Sequence, residues 1–63
     1  MIPITNYKVN WNSNTHTGVI YLQLSDGSTP SHPINSPEEL AMILQILNLP
    51  GKAFSNGIFE GHT

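Results

Sequence analysis

Three histidines, four carboxylates and a serine at the head of a helical pattern are the residues of this chain with chemistry to offer. His16 falls in a polar loop, His32 in a proline-rich segment and His62 in the C-terminal stretch. No two are spaced i, i+4 or as H-x-x-x-H, the arrangements that turn two imidazoles toward one metal. Solvated histidines are the expectation, and no metal or other cofactor is assigned. The chain has no cysteine, which removes thiolate zinc sites and disulfides together.

The carboxylates have structural work. Asp26 belongs to a turn, Glu38 and Glu39 to a helix start, and Glu60 to the tail. That leaves no pair to act as general acid and base. Ser36 reads as a helix cap, with no histidine or acid implied beside it to make it a nucleophile. Gly18, Gly27, Gly51, Gly57 and Gly61 build no phosphate-cradling loop. No catalytic residue is assigned, and the chain is not expected to be an enzyme. Tyr7 and Trp11 could form an outer aromatic patch of the kind found at interfaces, but the alternation of their segment favours packing beneath a helix.

Composition narrows the partners. Asp, Glu, Lys and Arg make up 10% of the 63 residues, the formal net charge is −2, and Lys8 and Lys52 are the only permanent cations. Two lysines cannot form a stripe that neutralises several phosphates, so nucleic acid is not an expected partner. The same shortage argues against anionic membrane surfaces. The longest apolar run, residues 40–49, is half the roughly 20 residues a membrane-spanning helix needs. The N-terminus lacks a basic region followed by an apolar run, so no signal peptide is expected and a cytoplasmic location is the default. Polarity comes from seven Asn, six Ser and five Thr, and with 38% hydrophobic residues the chain reads as folded and rich in turns.

The elements follow from pattern. Residues 4–11 alternate, with Tyr7, Val9 and Trp11 on one face and Lys8 and Asn10 on the other, the period of a half-buried strand. NSNTHTG, residues 12–18, is a loop. Residues 19–25 form a second strand, apolar on its even positions Ile20, Leu22 and Leu24, and central in its sheet. SDGS predicts a two-residue type I′ hairpin loop at Asp26 and Gly27. Its register sets Leu22 opposite Ser31 and Tyr21 opposite His32, a pair that could line a small pocket. The third strand, residues 28–34, carries Pro30 and Pro33, whose nitrogens point to opposite edges. It is expected to be a short or bulged edge strand.

The helix, residues 37–48, has the clearest start: Ser36 as N-cap, Pro37 at the first helical position and Glu39 completing a capping box. Asn48, Leu49, Pro50 and Gly51 end it. Residues 53–60 carry the hairpin signal Asn56-Gly57 and read as a terminal turn or short fourth strand. The expected fold is α+β: a three-stranded antiparallel β-meander, with or without that fourth strand, packed on one α-helix in one small domain.

The helix is apolar on two sides. Leu40, Ile43, Leu44 and Leu47 form the stripe that packs on the sheet, while Met42, Ile46 and Leu49 project onto an adjoining side. A three-stranded sheet cannot cover both, and each large side chain left in water forgoes about 1.5–3 kcal/mol. Either the C-terminal segment, through Phe54, Ile58 and Phe59, folds over that side, or a partner covers it. A domain near 60 residues buries only about 60% of the surface its unfolded chain exposes, so oligomerisation is an attractive source of stability. The expected partner is a second copy, in a homodimer or higher homo-oligomer, with another protein as a further partner. Met42, Ile46 and Leu49 are the expected interface. The chain reads as a homo-oligomeric interaction or accessory module. Its alternative is a small-ligand-binding oligomer with a pocket at the subunit interface near Tyr21 and His32.

Overall fold

The computed structural model describes all 63 residues, Met1–Thr63. Five strands and one helix follow in the order β1 (Ile2–Asn12), β2 (Thr17–Leu24), β3 (Ser31–Ile34), α1 (Pro37–Leu47), β4 (Gly51–Ser55) and β5 (Ile58–His62). All pairings are antiparallel and the sheet order is β3-β2-β1-β4-β5. The α+β class and the single helix hold. The strand count does not: the C-terminal segment supplies two strands, which join the far side of β1. The meander β1-β2-β3 is thus only part of the sheet.

β1 serves two neighbours by bending. Its residues from Ile4 onward pair with β2, whereas Ile2 and Pro3 pair with Phe54 and Ala53 of β4. The register shifts between Ile4 and Asn6, and Thr5, the extra residue, donates its hydroxyl to the carbonyl of Gln23 at 2.9 Å. Such a bulge advances the side-chain phase by one and bends the strand. Ile2 and Ile4 therefore face inward before it, and Tyr7, Val9 and Trp11 face inward after it, half-buried against the core. Trp11 lies across its cross-strand partner Gly18, where a Cβ would sit 2.9 Å from the Trp11 Cε3. Tyr7 and Trp11 face inward as expected, but they flank the core half-buried instead of forming it, and the helix packs nearest to β5 and β3.

The β2–β3 turn departs from expectation. Gly27 donates to the Leu24 carbonyl at 3.0 Å and Leu24 donates to the Ser28 carbonyl at 3.0 Å. The loop therefore contains Ser25, Asp26 and Gly27, and of these only Gly27 has positive φ, at 89°. This is the three-residue hairpin, a type I turn closed by a glycine in the left-handed region, and not the two-residue type I′ loop. Asp26 fixes it by accepting from the Ser28 N–H at 2.9 Å and the Ser28 hydroxyl at 2.6 Å. One added loop residue slips the register by one, which turns every β3 side chain to the other face. His32 pairs with Ile20, and Tyr21 with Ser31.

β3 is the short edge strand its prolines require. Leu22 still donates to the Pro30 carbonyl at 2.9 Å, but Pro30 has no N–H to return. Pro33, opposite Val19, turns its nitrogen to the open side of the sheet. The core consists of Ile4, Ile20, Leu22, Leu24, Ile34, Ile43, Leu47 and Phe54, with no buried polar side chain among them. α1 begins as its sequence dictates: Ser36 is extended and its Oγ accepts from the Glu39 N–H at 3.1 Å.

Candidate functional site

α1 lies nearest to β5 and β3, the two edges of the sheet. One contact sets its distance from β5. Gly61 has no side chain, and a Cβ there would sit 2.8 Å from Leu49 Cδ1 and 2.9 Å from Ile46 Cγ2. Only glycine lets helix and strand approach this closely. Toward the helix N-terminus the two elements stand apart, and a groove of about 640 Å³ opens between them. Ile43, Ile46 and Phe59 give it an apolar interior, Met42 stands at its rim, and Glu38 and Glu39 lie at the helix-start end.

His32 connects β3 to this groove. The register slip turns it inward, where its ring meets Phe59 edge-on with centroids 5.1 Å apart. Phe59 in turn meets the buried Phe54 at 5.0 Å. Edge-to-face contacts of this kind set the positive ring edge against the negative face of its neighbour. The two edges of the sheet are thereby brought together through side chains, with no backbone pairing between them. His32 Nε2 lies 3.4 Å from a carboxylate oxygen of Glu39. The Glu39 side chain, expected to fold back onto Ser36, reaches across to β3 instead. The pair is half-exposed and becomes an ion pair only when the imidazole is protonated, a contact worth about 0–1 kcal/mol at a surface.

The expected interface residues have separate fates. Leu49 and Ile46 rest against Gly61 of the same chain, so the C-terminal segment covers this end of the helix. Met42 is 66% exposed. The expected Tyr21–His32 pocket is not assembled. Tyr21 sits on the outer face beside a shallow hollow shared with Asn6, Lys8, Gln23 and Thr29, while His32 faces the groove. His16 stays exposed in the β1–β2 turn with φ 56°, and the ring of His62 lies across Gly51, its partner on β4. No three His, Asp or Glu side chains converge.

Sequence reasoning missed Phe59, Glu39 and Gly61 as parts of one site, and one signal was present for the register that controls His32. Ile34 is the only aliphatic side chain of β3, so it should share a face with Ile20, Leu22 and Leu24. The three-residue loop alone places it there, opposite Gly18. Electrostatically the groove carries only acidic permanent charge, from Glu38 and Glu39, and no lysine lines it. No helix is long and apolar enough to cross a membrane. Comparison with protein-family models, curated proteins and solved structures finds no match for this chain.

Proposed function

We propose that this chain is a small interaction module that associates with a second copy of itself through the open end of the α1–β5 groove. The observation that carries this reading is Met42, 66% exposed at the rim of an apolar groove. Burying such a side chain is worth about 1.5–3 kcal/mol, a large fraction of what a domain of this size can spare. Binding rather than catalysis is favoured because the groove holds one His–Glu pair, and the serine beside it accepts a backbone hydrogen bond. Two lysines on a chain of net charge −2 weigh against nucleic acid and anionic membranes as partners. The cytoplasm remains the proposed location.

Light scattering at micromolar concentration tests the reading. The wild type is expected to be a dimer, and Met42→Glu a monomer that keeps its thermal unfolding transition, since Met42 has little burial to lose. A monomeric wild type would refute self-association. A small metabolite that raises the wild type's melting temperature would move the reading toward the small-ligand alternative, because ligand bound only to the native state adds stability.

A further inference from the structure

A second copy seated on the groove would also meet the free edge of the sheet beside it. β5 is terminal in the sheet. The turn joining β4 and β5 has Asn56 and Gly57 at φ 49° and 84°, the signs of a two-residue type I′ loop. Ser55 and Ile58 flank it as a hydrogen-bonded pair, so the next pair, Phe54 and Phe59, is not hydrogen-bonded. The N–H and C=O of Phe59, and those of Gly61, consequently point away from β4. No backbone or side-chain group of the chain takes them up. Two exposed apolar side chains flank this edge at its turn end: Met42 on the helix side and Ile58, 62% exposed, on the outer face.

We infer that two copies join by antiparallel pairing of β5 with β5, on a two-fold axis at Phe59. This rests on the self-association proposed above. Three registers bring the strand against its own copy. An axis at Glu60 sets the two Glu60 carboxylates directly opposite each other, which like charge opposes. An axis at Gly61 carries Ile58 and Met42 to the far ends of the joint and leaves both uncovered. An axis at Phe59 lets Phe59 exchange two backbone hydrogen bonds with Phe59 of the partner subunit. It also sets Ile58 opposite Glu60 of the partner subunit, whose aliphatic stem covers it. The two groove mouths then adjoin, Met42 beside the joint in each, and the two sheets run on edge to edge. Main-chain bonds along an open edge with side chains seated beside it are the general form of strand addition, and a two-fold axis makes the joint closed, without a further free β5 edge.

Cysteine pairing reads the register directly, because the chain has no thiol of its own. Ile58 and Glu60 are both exposed, so Ile58→Cys and Glu60→Cys should fold. Opposed positions in a non-hydrogen-bonded pair have Cα atoms about 4.5 Å apart, within disulfide reach. Mixing the two variants under mild oxidation should give a covalent dimer on a non-reducing gel, absent from either variant alone. In the wild type, amide exchange at Phe59 and Gly61 should slow as protein concentration rises. A disulfide in Glu60→Cys alone would overturn the Phe59 register in favour of Glu60. A wild-type dimer with no disulfide and no added protection at those amides would overturn the β5 joint and leave self-association standing. A monomeric wild type would overturn both.

Discussion

The two edges of this sheet are built from opposite chemistry. At β3, Pro33 has no N–H to offer the open side and Pro30 shortens the strand. At β5, Phe59 and Gly61 present unpaired donors and acceptors, with no proline between Ile58 and His62. Natural sheets blunt edges to avoid adventitious pairing. The chain blunts one edge and leaves the other open, with Met42 and Ile58 exposed beside it; under the self-association proposed above, the blunted edge is the protected one and the open edge the one in use. Met42 and Ile58 thus differ from scattered surface apolar residues in the free backbone groups they flank.

The largest way to break this contrast is to remove the side chain that holds β5 in place. Phe54→Ala deletes a ring that is buried in the core and touches Phe59, and it should cost about 3–5 kcal/mol in urea unfolding. Because Phe54 also pairs with Ile2, the loss should loosen the β4–β5 hairpin before the β1–β2–β3 meander. Hydrogen exchange showing uniform loss across both would contradict that ordering.

A milder change sharpens the contrast from the other side. Pro33→Val restores an outward N–H to β3 at an exposed position. Stability should move by no more than about 0.5 kcal/mol, as for most surface substitutions. Association should nevertheless grow, with species larger than the wild type's appearing in light scattering as concentration rises. Unchanged association would show that the prolines do not guard this edge.

The smallest effect belongs to the turn that feeds β3. Hydrogen bonds from the Ser28 hydroxyl and then the Ser28 N–H hold the Asp26 carboxyl below its usual 3.8. A carboxyl lowered by folding contributes stability above its unfolded value and loses that contribution as pH falls through the folded one. Wild type should therefore be slightly more stable than Asp26→Asn at neutral pH, with the gap closing below about pH 3.8. A gap independent of pH would assign the effect to geometry instead of charge.

Much of this molecule was legible as local chemistry. Ser36, Pro37 and Glu39 announce the helix start because capping is decided within four residues. Asn56-Gly57 announces its turn for the same reason. Two kinds of information were not local. Ser25-Asp26-Gly27 suits a two- or a three-residue loop equally, and the choice falls to whichever register puts Ile34 inside. β4 reads GKAFS, without alternation, and becomes a strand because β5 pairs along its whole length and Ile2 and Pro3 pair with its other side. The groove is further from the sequence still, since it depends on how far α1 stands from β5, and that distance is set by what Gly61 lacks.

The bend at Thr5 has a consequence for how the chain reaches this fold. From Ile4 onward β1 meets β2, its neighbour in sequence, and the Pro3 carbonyl still accepts from the Ser25 N–H, whereas the other edge of Ile2 and Pro3 meets residues about 50 positions away. Contacts of short separation form early and those closing long loops form late. A seam of two residue pairs, Ile2 with Phe54 and Pro3 with Ala53, joins the meander to the β4–β5 hairpin in the sheet. Chain entropy thus predicts that this seam closes late, and amides on either side of it are expected to gain protection after those of the β1–β2 pair in refolding followed by hydrogen exchange.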